Sequence, residues 1–558
     1  MNPLLIIVES PNKARTIANF FGRPIKRKVL DTDTYEVISG DNYLTICASF
    51  GHVFDLTTEG GIHGVELKDN KFVPVYEPIE GKENIINGIR LISAEYDKIF
   101  IATDPDTEGE KIAWDFTTIL NDNTKEIKRI EFHEVTKKAI LEALANRRTV
   151  DEDLTKAQIL RRIADRWVGF ELSHYVQKNF LNNKLSAGRV QIPVLSWIIQ
   201  QYFESKKQKY LVIIQIGNFK TEFEFLSKKE AYLFYKTLKE VRIKKLGTIS
   251  KQQNPLPPYR TDTLLKDANE KFHFSLQQTM QLAQDLFESG LITYHRTDSI
   301  RVSDAGFSVA KTYISENFGN EFIHLRKWAE GGAHECIRPT RALSDEELKH
   351  LITTGEILGL NFNHLKLYSM IFDRFIASQM RPVTVEITKY NILALDQQKE
   401  AEVIERILEN GYNLIIPINT SSLSEGEFKI DDVKNKKFFK TQPLKYPHTH
   451  ASIVAMMKER GIGRPSTYAT IVEKLLERKY VIENKNFLIP TKLGISVYKF
   501  LSNLKGKDFF VKEEFTKELE TLMDKVESGD EDYQKILWRI FEQLKVKKSK
   551  EKEFYRNL

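Results

Sequence analysis

An apolar run from Leu4 to Val8 opens the chain and stops at Glu9, and helical spacing follows from Asn12 to Phe21. A second apolar stretch, Lys98 to Ala102, runs into an acidic turn and then a helical pattern from Gly109 to Leu120. Strand, polar turn and helix in that order predict an open parallel sheet, whose ligands collect at the carboxyl ends of its strands. Glu9 and the acidic residues beginning at Asp104 both fall at such ends. Residues 151–207 read as helical, with Arg161, Arg162 and Arg166 crowded into one stretch. From Tyr210 to Lys251, and again from Val383 to Ile430, β-branched and aromatic residues alternate with polar ones, which predicts antiparallel strands. Pro255, Pro257 and Pro258 mark a linker between them.

Ser275-Leu-Gln-Gln278 predicts a capping box on a helix that ends before Gly290, followed by a short extended stretch, Leu291 to Tyr294. A similar pattern returns later. His450 to Arg460 is helical, Gly461-Ile-Gly463-Arg-Pro465 turns, Ser466 caps a helix through Arg478, and a strand pair covers Tyr480 to Ile489. Two helices on a glycine turn followed by a ribbon predict a winged helix-turn-helix, and the two occurrences suggest an internal duplication. The tail, with Lys545, Lys547, Lys548, Lys550 and Lys552, reads as a solvated helix end.

The length of 558 residues suits three or four domains. Lys and Arg number 83 against 77 Asp and Glu, so a net charge of +6 signals nucleic acid only where it is clustered. Cys47 and Cys336 are the only cysteines, too few for a four-thiolate zinc site or a disulfide framework, so no zinc site is expected. No apolar run reaches the length of a signal-peptide core or a membrane span, and a cytoplasmic protein is expected. Abundant Lys and Glu with two cysteines point to a heat-loving source.

Chemistry concentrates in five places. Asp104-Pro-Asp106-Thr-Glu108 sets carboxylates at alternate positions after a buried strand, a pattern that suits one Mg²⁺ shared with phosphate oxygens. A solvated acidic turn fits the same residues, as does an aspartyl-phosphate phosphatase motif with Asp104 as nucleophile. Glu9-Ser-Pro-Asn-Lys13 places a carboxyl that could stay protonated and a lysine for phosphate beside that cluster. Along an extended chain Tyr294 and Arg296 point to one side, where a guanidinium can clamp a phosphodiester as the phenolate attacks. His334-Glu-Cys-Ile-Arg338 puts a His and an Arg in a Pro-bounded loop. Leu185-Ser186-Ala-Gly188-Arg189-Val-Gln191 allows close backbone approach beside a phosphate-binding Arg and an amide donor.

In this order, along essentially the whole chain, the motifs resemble those of type IA DNA topoisomerases. Glu9 and Asp104–Glu108 resemble a Toprim domain. Arg161-Arg162-Ile-Ala-Asp165-Arg166 and Leu185–Gln191 are similar to strand-binding elements, Leu291–Ser299 to the active-site tyrosine segment, and His334–Thr340 to the histidine loop. Gly461-Ile-Gly-Arg464-Pro-Ser466-Thr467-Tyr468 is similar to the family's late DNA-binding turn. The resemblance implies that Tyr294 forms a 5′-phosphotyrosine, with Glu9 as acid and Lys13, Arg296 and His334 stabilising charge. It implies Mg²⁺ held by Glu9, Asp104, Asp106 and Glu108. Arg161, Arg162, Asp165, Ser186, Arg189 and Gln191 would meet single-stranded DNA, and so would Arg338, Arg464, Ser466 and Thr467. The fold implied is multidomain, α/β and α+β, a Toprim domain on a toroidal core with winged-helix-like and antiparallel β domains. Its parts would be a Toprim domain at 1–150, a helical groove segment at 151–207 grouped with 441–558, and a β arch from 208–258 and 380–440. The tyrosine would sit in a winged-helix-like domain at 259–379, and 441–558 would form a C-terminal helical and winged-helix domain.

A narrower resemblance, to the topoisomerase half of reverse gyrase, rests on Ile7–Gly22, Phe50–Leu56 and Asp104–Lys111, with Pro105 and Thr107 as its signature. It implies ATP-driven positive supercoiling. No G-x-x-x-x-G-K-[ST] motif occurs, so no ATP is expected on this chain. No cysteine-rich module follows Pro74-Val-Tyr-Glu-Pro78. A naturally split enzyme with a helicase-like ATPase on a second polypeptide fits best, and an excised piece is the alternative. Three other readings remain: a stand-alone topoisomerase relaxing negative supercoils, a Toprim nuclease using water, and an architectural DNA-binding protein. Trapping a protein–DNA adduct separates the topoisomerases from the last two.

Overall fold

The computed structural model describes residues 2–122, 124–331, 334–357, 359–430 and 435–556. Six strands form the first sheet: β1 (Asn2–Val8), β2 (Ile25–Val29), β3 (Thr32–Ser39), β4 (Asn42–Ala48), β5 (Lys98–Ile101) and β6 (Glu126–Arg129), in the order β6-β5-β1-β4-β3-β2. β6, β5, β1 and β4 run parallel, whereas β3 and β2 are antiparallel additions at one edge. The open parallel sheet is thus a mixed one. The connections decide it: Leu30-Asp31 and Gly40-Asp41 leave only two residues between strands, and so short a loop closes a hairpin.

β1 is buried on both faces, as its unbroken apolar run requires. One face, with Leu5 and Ile7, packs against Phe116 and Ile112. The other, with Leu4, Ile6 and Val8, belongs to a core that continues through Phe132 to Phe287 and Tyr294. That shared core brings the tyrosine to the sheet. α1 (Pro11–Asn19) starts where Ser10 caps the Lys13 N–H at 3.1 Å, with Pro11 in the first turn. α2 (Thr107–Ile119) is capped by Asp106.

α3 (Glu152–Phe180) and α4 (Gln191–Glu204) make up the expected helical segment. The two β regions form a three-stranded and a four-stranded antiparallel sheet. Lys228–Thr237, inside the first region, is a helix. Its apolar residues Ala231 and Phe234 face inward at helical spacing, and Ser227 caps Glu230. α5 (Leu276–Glu288) has only half the predicted box: Ser275 caps Gln278, and no return bond from the Gln278 side chain accompanies it.

α6 (His450–Arg460), α7 (Tyr468–Glu477) and the hairpin Val481–Asn484 with Phe487–Pro490 build the predicted helix-turn-helix and ribbon. Thr467, not Ser466, is the N-cap of α7, and no side chain closes it. α8 (Glu513–Glu527) packs along α3. The tail is the helix Tyr533–Arg556, but the side chains of Lys545 and the lysines beyond it lie outside those described. Among the described residues no helix is long and apolar enough to cross a membrane.

Candidate active site

Parallel neighbours deliver their loops to one edge of a sheet, so β1 and β5 bring Glu9 and Asp104 together. A Glu9 carboxylate oxygen accepts the Asp104 backbone N–H at 2.8 Å. Burial, reinforced by the Asp104 charge, pushes Glu9 up to about 8, so it keeps its proton at neutral pH. Lys13 in the first turn of α1 is buried and paired with Asp104. Burial opposes the Asp104 charge, but Lys13 and Arg296 outweigh it and hold this carboxyl below its ordinary range.

Asp106 Oδ1 accepts the Gly109 N–H at 2.7 Å. Position 109 must be glycine, since a Cβ there would stand 2.1 Å from the Asp104 carbonyl oxygen. Arg129, fully buried at the end of β6, fixes this turn by donating to the carbonyls of Asp104 at 2.8 Å and Ile101 at 3.2 Å.

Tyr294 faces the turn from the other side of the shared core. Its N–H donates to the His133 carbonyl at 2.8 Å, Phe287 packs edge-on at 5.3 Å, and its hydroxyl donates to Asp106 Oδ2 at 2.5 Å. Only 2% of Tyr294 is exposed, and burial with the Asp106 and Asp104 charges keeps the phenol well above its usual range. Arg296 Nη1 lies 3.4 Å from Glu108 and 3.8 Å from Asp106, on the Tyr294 side as the spacing predicts. The segment is held by isolated bridges, Ile292 to Pro339 and Thr293 to Glu134, where the residue pattern predicts a plain extended stretch. The His334 ring lies 6.3 Å from the Tyr294 ring and edge-on to His133 at 5.3 Å.

Among the described residues no three acidic, His or Cys side chains are placed to hold an ion together. Glu9 keeps its proton and Asp104 pairs with Lys13, while Asp106 and Glu108, both within 4 Å of Arg296, line one open cleft. Two carboxylates at a wet cleft suit Mg²⁺, which takes one or two from protein and completes its shell with water and phosphate.

The strand-binding candidates divide. Arg161, Ser186, Gln191, Ser466 and Thr467 line a cleft of about 670 Å³ that begins at Glu108 and Arg296. Arg162 lines it too, paired with Asp55. Arg189 is 2% exposed, held by Asp165 at 2.6 Å and Glu520 at 3.0 Å. Arg464 pairs with Glu520 at 3.0 Å and lines the cleft of Asp106 and Glu108. Arg338 is a correction. It is 1% exposed, with donors directed at Glu335, Glu134 and the Pro339 carbonyl, each at 2.9 Å. DNA cannot reach it in this arrangement; it ties the histidine loop to Glu134 in the segment after β6.

Residue patterns alone overlook Arg129, His133 and Glu520. His133 follows β6, a parallel strand end like those that expose Glu9 and Asp104, so the same rule would find it. Arg129 and Glu520 carry no local signal, because their partners lie in other elements.

The chain matches a DNA topoisomerase family model over residues 149–537 and a Toprim domain over residues 4–135. It is 52% identical over 548 residues to reverse gyrase 1 of Aquifex aeolicus, covering 98% of this chain and 48% of that protein. Identity to the reverse gyrase of Pyrococcus furiosus is 45% over 582 residues, covering 97% and 47%. The chain spans about half the length of the curated relatives it matches. Full-length topoisomerase I of Thermotoga maritima superposes with a TM-score of 0.78 at 31% identity, covering 97% of this chain and 89% of that one. A family match over well more than half its residues, on a matching fold, makes this chain a member of the type IA DNA topoisomerases.

Proposed function

We propose that this chain is the strand-cutting half of a reverse gyrase and that Tyr294 joins DNA through a 5′-phosphotyrosine. The observation that carries the reading is the Tyr294 hydroxyl donating to Asp106 at 2.5 Å, with Arg296 3.8 Å from the same carboxylate. Asp106 takes the phenolic proton as the oxygen attacks a backbone phosphate. Lys13, Arg296 and His334 steady the added charge on that phosphate. Glu9 gives its proton to the departing 3′-oxygen. One phosphodiester bond is exchanged for another, so neither cutting nor resealing needs ATP. Asp106 and Glu108 would hold Mg²⁺, which supplies positive charge beside the 3′-hydroxyl during resealing.

Because Tyr294 is buried, the strand reaches it only when the tyrosine-bearing segment lifts from the first sheet. The Tyr294–His133, Arg338–Glu134 and Arg296–Glu108 contacts part in that motion, opening a passage for the other strand.

The Glu9 role has a pH signature. Oligonucleotide cleavage in metal-free buffer is expected to hold up to about 8 and fall above it, as Glu9 loses its proton. Glu9→Gln should slow cutting roughly 10²- to 10⁴-fold and remove the alkaline fall. The folded chain binds this proton where the unfolded chain has lost it, so this group's contribution to stability declines as pH rises from 4.5 towards about 8. A cleavage rate indifferent to pH across that limit would remove Glu9 as the acid.

ATP and direction separate the two topoisomerase readings. Topoisomerase I of Thermotoga maritima, matched over 89% of its length, favours a stand-alone enzyme that relaxes negative supercoils. The identity to reverse gyrases favours a chain whose ATP-driven bias comes from a helicase-like partner. Alone with Mg²⁺, the chain is expected to relax underwound plasmid and ignore ATP. With a helicase-like ATPase and ATP it should introduce positive supercoils, read on two-dimensional gels. Positive supercoils made by the chain alone would overturn the division of labour, and so would failure with every such ATPase from the same cell.

A further inference from the structure

We infer that Glu520 is a positioning residue that ties Arg161, Arg189 and Arg464, from three separate elements, together so that the outer two, Arg161 and Arg464, grip the strand's phosphates. The inference rests on the strand-cutting reading above. Glu520 Oε2 lies 3.0 Å from Arg161 of α3 and 3.0 Å from Arg464 of the turn before α7. Its Oε1 lies 3.0 Å from Arg189, in the loop leading into α4. Three guanidiniums so close repel one another, and one carboxylate at their centre offsets that repulsion. Asp165 on Arg189 and Asp524 on Arg464 bring the cluster to three cations against three anions.

The exposures sort the roles. Glu520 shows 4% of its side chain to solvent and Arg189 2%, whereas Arg161 shows 16% and Arg464 34%. The strand can meet Arg161 and Arg464 but not the carboxylate that orients them. Both outer arginines line the cleft that holds Glu108 and Asp106, the acceptor of the Tyr294 hydroxyl. A guanidinium has five donors, and Arg161 directs one at Glu520, so donors remain for phosphate. Long side chains already ordered lose less entropy when a ligand arrives. Burial opposes the Glu520 charge, yet Arg189, Arg161 and Arg464 hold this carboxyl down to about 2, so it stays ionised wherever the enzyme is folded.

Charge and position predict opposite results. Glu520→Gln makes the groove more positive, so a counter-charge role alone would tighten single-strand binding; positioning predicts weaker binding. The full chain, Glu520→Gln and Glu520→Asp are compared by anisotropy of a labelled single-stranded oligonucleotide across a salt series, by thermal melt, and by adduct yield at saturating oligonucleotide. For Glu520→Gln, Kd should rise about tenfold, the scale of one charged hydrogen bond. The salt slope should fall by about 0.7 for each phosphate the arginines no longer neutralise, with adduct at saturation retained. Glu520→Asp keeps the charge one methylene short and should recover part of the affinity. Binding by Glu520→Gln at wild-type strength or tighter, with an unchanged slope, overturns the inference, as does an absent adduct with Kd unchanged. If that variant does not fold, Glu520→Asp decides: wild-type Kd and slope overturn the inference, and a partial decrease in affinity and slope supports it. Failure of the strand-cutting reading looks different, because wild type would then form no adduct while Glu520→Gln still weakened binding.

Discussion

Tyr294→Phe is expected to abolish the covalent adduct and plasmid relaxation while leaving single-strand affinity within about twofold. The change removes one oxygen from a ring whose packing against Phe287 and the shared core is untouched. Removing a nucleophile that acts with its neighbours as a unit costs at least about four orders of magnitude in rate. Stability should fall by only about 1 kcal/mol, one hydrogen bond, because the freed Asp106 oxygen lines an open cleft where water replaces the hydroxyl. Binding survives because Arg161, Arg162 and Arg166 of the groove lie on α3, away from the tyrosine segment. Denaturing gels of detergent-trapped oligonucleotide read the adduct, and agarose gels read relaxation. Any relaxation by the purified variant would end the central proposal.

Arg338→Ala is expected to be the most destabilising single change at the site, by about 3–5 kcal/mol, because it strands buried carboxylates. Arg338 Nε and Nη2 meet the two oxygens of Glu335 at 2.9 Å each, a bidentate pair, and Nη2 also reaches Glu134 at 2.9 Å. The side-chain exposures of Arg338, Glu335 and Glu134 are 1%, 8% and 16%, so little water can replace the guanidinium. Arg338→Lys should rescue poorly, since an ammonium cannot supply the fork. Thermal and urea midpoints should drop together for both variants, while the folded protein keeps the wild-type salt slope for single-strand binding. A normal melt with a slope lower by about 0.7 would restore Arg338 as a phosphate contact.

Local chemistry is legible in the order of the residues. The buried run Leu4–Val8, the capped turn at Asp106 and the two-residue offset of Tyr294 and Arg296 depend on neighbours within a few positions. So do the glycine turn and ribbon after α6. Two other local signals outweigh the patterns around them. Ser227 with Glu230 marks the start of a helix where alternation suggests a strand, and Gly40-Asp41 marks a hairpin that turns the sheet edge antiparallel.

Tertiary structure decides what the charged residues do. Glu9 and Asp104 are both carboxylates at strand ends, yet burial leaves one protonated while Lys13 keeps the other ionised and occupied. Asp106 and Glu108 thereby become the pair that faces the cleft. The family resemblance implies the same DNA contact for Arg338 and Arg464, but one is enclosed by Glu335 and Glu134 and the other lines the cleft. Glu520 has no local signal because its partners come from three elements. Periodicity and turn chemistry act over about a dozen residues. Protonation and ion pairing depend on burial and on which charges the fold brings within a few ångströms, whatever their separation along the chain.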